Sequence, residues 1–227
     1  MKAPRVIAHP SRPQMARALA DALAEALRRA IAARGVARIA VPGGETPREM
    51  LTRLGEAELD WPRVVVTLTD ERLTPPGHPR ANETMLAGSL LAGRARAARF
   101  VPLRGAGDGP DALEAARRAL RERALPLDVA VLGMGADMHA ASLFPGARGL
   151  EAALAPDAPP LCRIDPEGAL EPRVTLSAPT LAAAPERHLV IAGADKRAAL
   201  ERALALDDPR AAPVLAVLGG AVVHYAD

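Results

Sequence analysis

The sequence predicts an α/β protein built on a mostly parallel, Rossmann-like sheet with helices on both faces. Apolar, β-rich runs alternate with amphipathic helical stretches along the chain, the pattern of parallel strands joined by helical crossovers. The runs at 64–66 and 129–132 are wholly apolar, as strands buried on both sides require. No internal repeat interrupts the pattern, and residues 1–227 read as a single α/β domain.

The elements follow in order. Residues Arg5–Ala8 read as a short strand. Ser11 is placed as the N-cap of the first helix, with Pro13 near its start and Gly35 at its stop. Between them Leu19, Leu23, Leu27 and Ile31 recur every four residues. A strand at 38–41 passes through a Gly-Gly turn into a short helix over 46–54, stopped by Gly55. Next come a strand at Val64–Leu68, a loop, a helix near 82–91, a strand at 99–103, a helix around 110–124 and a strand at 128–132. The last third reads as a strand at Arg173–Leu176, a short helix, a strand at 188–192 and a helix at 195–206. Two apolar runs, 214–218 and 221–225, close the chain. The Pro-rich stretch 155–172 is irregular and reads as a surface excursion or a flap.

Composition excludes several classes of function. Hydrophobic residues make up 49% and charged residues 25%, enough for a sizeable core and too apolar for disorder. Aromatic residues are only 2%, which disfavours single-strand nucleic-acid binding, where bases stack on rings. The net charge is +2, and arginines such as Arg117, Arg118, Arg121 and Arg123 alternate with Glu114 and Glu122 as on a solvated helix face. A single cysteine, Cys162, leaves no disulfide framework and no cysteine zinc site. The first ten residues lack a signal-peptide core, and no apolar run is long enough to span a bilayer. A cytoplasmic enzyme or binding protein is expected, with no nucleic-acid or membrane partner, as a monomer or homodimer.

In open α/β sheets ligands bind beyond the carboxyl ends of the strands. Three segments stand there. Residues 41–47, VPGGETP, join a strand to a helix: Gly43 and Gly44 allow close backbone approach, Thr46 suits a cap, and free N–H groups at a helix start form an anion site. A capped turn without a ligand explains the same residues equally well. Residues 69–72, TDER, follow the Val64–Leu68 strand, either as a solvated loop or as a polar binding rim containing Asp70 and Arg72. Arg72 suits a carbonyl or carboxylate oxygen. Asn82, at the next helix start, is a cap or a sugar-hydroxyl contact.

The third segment, 128–146, reads DVAVLGMGADMHAASLFPG. An apolar strand ends in Gly133-Met134-Gly135 and then presents Asp137 and His139 in a loop. Imidazole is the natural general base near neutral pH, and a nearby carboxylate holds its tautomer and stabilises its charged form. His9, His78, His188 and His224 lack this setting and read as surface or packing residues. Asp137 and His139 could ligate a metal, but no HExxH, helical His pair or cysteine cluster accompanies them, so no metal is expected. Arg173 and Lys196 are singly ordinary cations; together with 43–46 they would clamp a dianion.

Taken together the segments resemble the 6-phosphogluconolactonase family, a relative of the glucosamine-6-phosphate deaminases. The matching pieces are PGGETP (42–47), TDER (69–72), Asn82 with Met85, LGMGADMHAASLFPG (132–146), RVTLSAPTL (173–181) and GADK (193–196), in the family's order. The resemblance implies a fold like the deaminase and ribose-5-phosphate isomerase group and no cofactor. It also implies 6-phospho-D-glucono-1,5-lactone, a phosphorylated sugar lactone, as substrate. It places the general base on His139, with Asp137 holding it and Asp70 and Arg72 beside the reacting centre. Phosphate and sugar contacts fall on Gly43, Gly44, Thr46, Asn82, Arg173 and Lys196. Three residues depart from the family pattern: Met138 where Gly is usual, Ala140 where Thr is frequent, and Glu45 where a small hydroxyl residue is common. Met138 would resist a positive φ, and Glu45 is expected to point away from phosphate.

The expected reaction is attack on the lactone carbonyl by water that has lost a proton to His139. Ser142 is a conceivable nucleophile, but nothing like G-x-S-x-G surrounds it. Two other readings remain. A sugar-phosphate deaminase or isomerase would call for an acidic residue soon after the histidine, and none stands between His139 and Glu151. A non-catalytic sugar-phosphate-sensing module would carry a DNA-binding or partner domain, and the first strand already begins at Arg5.

Overall fold

The computed structural model describes residues 3–105, 109–168 and 171–227. Of the segments read above, Met1, Lys2 and positions 169–170 of the irregular stretch lie outside them. β1 (Arg5–Ala8) leads into α1 (Arg12–Arg34). Ser11 caps α1 as expected, its backbone extended and its Oγ accepting from the Gln14 N–H at 3.4 Å. Leu19, Leu23 and Leu27 are fully buried along one face of α1, each contributing roughly 1.5–3 kcal/mol of apolar burial.

β2 (Ala37–Val41) and α2 (Arg48–Gly55) come next. α2 starts two residues later than its sequence suggests, because Pro47 stands at the N-cap and the Thr46 hydroxyl caps nothing. Gly55 is its last residue rather than its stop. β3 (Val64–Leu68) is buried throughout, and β4 (Asp70–Arg72) follows after one residue. α3 (Asn82–Ala87) is shorter than read. It ends at Gly88, where the Ser89 hydroxyl turns back to the Met85 carbonyl at 2.8 Å and competes with the helix ladder. The strand expected at 99–103 reduces to β5 (Arg99–Phe100).

The chain continues through α4 (Pro110–Arg123), β6 (Val129–Gly133), α5 (Leu150–Leu154), β7 (Leu161–Ile164) and β8 (Arg173–Leu176). It closes with α6 (Ala178–Ala182), β9 (Glu186–Ala192), α7 (Ala194–Leu206), α8 (Leu215–Leu218) and β10 (Val222–Ala226). The apolar run at 214–218 is therefore helical, and part of the stretch read as an excursion is the strand β7.

The main sheet is seven-stranded and parallel throughout, in the order β1-β10-β9-β6-β2-β3-β5. Chain progression runs one way from β2 through β3 to β5. It resumes on the other side of β2 with β6 and β9, so strand order reverses between β2 and β6. A ligand crevice is expected at the carboxyl ends there. A second sheet, β4-β8-β7, is antiparallel and three-stranded, and was not anticipated as a separate layer. It packs over a small apolar cluster that includes Leu143, Leu150 and Ile164, beside the main core.

Candidate active site

A cleft of about 330 Å³ opens where the strand order reverses. Its walls come from the carboxyl ends of β2, β6 and β9, from the loops that follow them and from the small sheet. Nine of the residues singled out from sequence line it: Gly43, Gly44, Thr46, Asp70, Arg72, Asn82, His139, Arg173 and Lys196. The tenth, Asp137, lies outside the lining and is bonded to His139.

The imidazole is held by its own loop. His139 Nδ1 lies 2.5 Å from Asp137 Oδ1. A carboxylate only accepts, so Nδ1–H donates and Nε2 keeps its lone pair. Partial burial pushes the Asp137 carboxyl up; the hydrogen bonds and charge of His139 outweigh this and hold it below the usual value. The pair closes over Gly135, where a Cβ would come within 2.1 Å of both Asp137 Oδ1 and His139 Nδ1. No larger residue fits without moving the base. On its other side His139 meets the Phe144 ring at a centroid distance of 4.4 Å, and the Arg173 guanidinium lies 6.0 Å from the same ring.

The loop is also tied down from the carboxyl-terminal third. Three of its carbonyls accept bonds from there: Met134 O from Lys196 Nζ at 2.7 Å, Ala136 O from Arg202 at 3.2 Å and Met138 O from the Val214 N–H at 3.1 Å. Lys196 thus contributes its charge to the cleft while one of its N–H groups anchors the loop. Met138 takes φ 68°, the left-handed conformation that its side chain disfavours.

The opposite wall is cationic. Arg72 and Arg173 are direct cross-strand partners in the pairing of β4 with β8. Like charges so placed repel, a cost that an anion between them removes. Arg173 is buried, and its Nε finds no partner among the described residues. Burial and the neighbouring Arg72 push its pKa below the ordinary value, while Asp70 and Glu171 draw it back. At the end of β2, the N–H groups of Gly43, Gly44, Glu45 and Thr46 have no acceptor among the described residues. Glu45 is among the residues lining the cleft; Arg48 binds its carboxylate at 2.7 Å and, through that hydrogen bond, lowers its pKa. Among the described residues no group of three His, Cys, Asp or Glu could hold a metal ion.

Two site roles differ from the sequence reading. Asn82 is the first residue of α3, not its cap; its side chain donates to the Asp70 carbonyl at 2.8 Å. That side chain occupies the space beside Gly43, where a Cβ would fall 2.0 Å from Asn82 Oδ1. The helix start is served instead by Glu71, which sequence reasoning left as one charge in a polar run. Its buried carboxylate accepts from the backbone N–H groups of Arg72, Asn82 and Glu83 at 2.6–2.7 Å. Burial raises its pKa, and these three donors offset part of the rise. Reading TDER as a strand would have found it, because alternation sends Asp70 and Arg72 to one face and Glu71 to the other. Phe144 lay inside the 132–146 motif without a role assigned to it, and Arg202 carried no motif signal.

The family model for glucosamine-6-phosphate isomerases/6-phosphogluconolactonase matches residues 10–224. The 6-phosphogluconolactonase of Rhizobium meliloti (strain 1021) is 44% identical over 206 residues, covering 90% of this chain and 89% of its own. That of Pseudomonas aeruginosa is 42% identical, covering 90% of this chain and 87% of its own. The crystal structure of a 6-phosphogluconolactonase from Shewanella baltica OS155 superposes with a TM-score of 0.95 at 32% identity, over 100% of this chain and 99% of that one.

Proposed function

The chain belongs to the family of glucosamine-6-phosphate isomerases and 6-phosphogluconolactonases, and we propose that its cleft hydrolyses 6-phospho-D-glucono-1,5-lactone to 6-phospho-D-gluconate. The protein is a hydrolase of the pentose phosphate pathway. One observation carries the assignment of roles: a histidine backed by a carboxylate faces the same cleft as two cross-strand arginines and four free backbone amides.

His139 takes a proton from water at Nε2, and the hydroxide attacks the lactone carbonyl. Asp137 stabilises the imidazolium that results. Arg72 steadies the oxyanion of the tetrahedral intermediate or orients the ring, with Asp70 beside it. The intermediate collapses by breaking the bond from the carbonyl carbon to the ring oxygen. That oxygen recovers the proton from His139 and becomes a hydroxyl, leaving the acid. Arg173, Lys196 and the amides of Gly43, Gly44 and Thr46 grip the phosphate, and Asn82 meets a sugar hydroxyl. General-base catalysis contributes about 10²–10⁴-fold, which suffices for an activated ester. We read residues 1–227 as a single domain, acting as a monomer or a homodimer. No described helix is long and apolar enough to cross a membrane, and we place the enzyme in the cytoplasm.

The test is hydrolysis of freshly made lactone followed against its spontaneous rate. Wild-type protein should exceed that rate by orders of magnitude; Arg173→Met should act mainly on KM and Arg72→Met mainly on kcat. A wild-type rate equal to the spontaneous one overturns the assignment.

A further inference from the structure

Ser142 stands three residues after the base in sequence, yet its hydroxyl does not serve the imidazole. Oγ–H donates to Asp70 Oδ2 at 2.6 Å, while the other carboxylate oxygen, Oδ1, accepts from Thr69 Oγ1 at 3.1 Å. The serine is 1% exposed, and it lines the floor of the cleft beside Asp70. Its own N–H donates to Thr175 Oγ1 at 3.3 Å, in β8. Thr69 and Thr175 are also buried. Three hydroxyls therefore form a network joining the end of β3, the His139 loop and the strand that carries Arg173. Among the described residues this is the one hydrogen bond between the His139 loop and the Asp70 side chain.

We infer that Ser142 is a positioning residue for the hydrolysis: its hydroxyl fixes the Asp70 carboxylate in the cleft and, through it, sets the His139 loop against the strand bearing Arg72. The inference rests on the reading of His139 as base. Both Asp70 oxygens have one hydroxyl donor, so the carboxylate cannot rotate freely, and its remaining lone pairs are presented in a defined direction. Asp70 and Arg72 project from the same side of β4. Fixing Asp70 to the loop therefore also fixes the separation between the imidazole and the Arg72 guanidinium. Small errors in such a separation weigh heavily on rate.

The experiment measures kcat, KM and thermal midpoint for Ser142→Ala, Asp70→Asn and the double variant. Ser142→Ala should lower kcat about tenfold with KM within about twofold, and the double variant should be no slower than Asp70→Asn alone, because coupled residues are not additive. Ser142→Cys keeps the volume with a weaker donor and should fall between wild type and Ser142→Ala; it also serves if the alanine variant folds poorly. Independent, multiplying effects of the two single changes overturn the inference, as does a Ser142→Ala protein altered in thermal midpoint alone. Failure of the underlying reading is separately visible: His139→Gln would then keep its turnover whatever Ser142 does.

Discussion

Four of the five histidines fall into two arrangements, and the contrast shows what makes one of them chemically useful. His139 has a carboxylate on one nitrogen and a half-open cleft around it. His9, His224 and His188 instead run in a line across β1, β10 and β9, each bonded to the next at 3.1 Å. His224 and His188 are buried, and a carboxylate, that of Glu186, stands 4.0 Å from His188. Burial, then the neighbouring histidines and Arg5, hold His224 down to about 3, so it stays neutral in the folded protein. Burial lowers His188 and His9 as well, with Glu186 partly restoring His188. The two settings differ first in burial and then in the partner's charge: His224 lies buried between two histidines, while His139 faces a cleft with a carboxylate on Nδ1.

One replacement made at both positions breaks the comparison most forcefully. His139→Gln should lower kcat by about 10²–10⁴ while leaving the thermal midpoint within a few degrees. His224→Gln should do the reverse, keeping turnover and losing stability. Asp137→Asn should fall between wild type and His139→Gln. Its cost should stay below the ~10⁴ seen for fully buried carboxylate–histidine pairs, since the Asp137 side chain is 53% exposed. Steady-state rates and melting curves on the same preparations check all three. Equal turnover in the two glutamine variants would remove the distinction.

That distinction was legible in the sequence only in part. Gly135, Asp137 and His139 lie within five residues, and the steric need for glycine there is local, so the motif shows it. The parallel sheet was legible for the same reason: wholly apolar strands announce burial on both faces. The small sheet was not. β4 has three residues, all charged, and its pairing partner β8 lies a hundred positions away. Short apolar runs do not separate strand from helix, which is why 214–218 read without a type. Ser142 was visible as a residue and invisible in its role, because its partner Asp70 is 72 positions distant.

Acid stability sharpens the comparison with a smaller effect. The native state favours neutral His224, whereas the unfolded chain protonates it near 6.5. Below that pH the unfolded state therefore binds a proton that the native state refuses. The stabilisation is complete above 6.5 and lost progressively down to about 3, by about 1.4 kcal/mol per pH unit for a fully suppressed histidine. Asp137, with its lowered value, acts in a different window: its contribution is kept above the ordinary carboxylate range and lost only as pH falls through its folded value. Urea midpoints between pH 7 and 4.5 should fall for the wild type and fall less steeply for His224→Gln, which retains hydrogen bonding without titrating. Parallel slopes would show that the histidine line does not drive acid unfolding.

The smallest effect concerns the backbone beneath the useful histidine. Met138 holds φ 68°, which costs an L-residue roughly 1–2 kcal/mol, yet its carbonyl is bonded to Val214 and its side chain packs against the core. Met138→Gly removes the strain, but it adds about 0.5–1 kcal/mol of chain entropy to the unfolded state and gives up those contacts. The two sides nearly cancel, so the thermal midpoint should move by only a few degrees in either direction. A tight loop needs its φ more than its side chain, so the Asp137–His139 geometry should survive and the variant's pH–rate profile should superpose on the wild type. A displaced profile would show instead that the packing of Met138, and not the bonds to its loop's carbonyls, keeps the imidazole against its carboxylate.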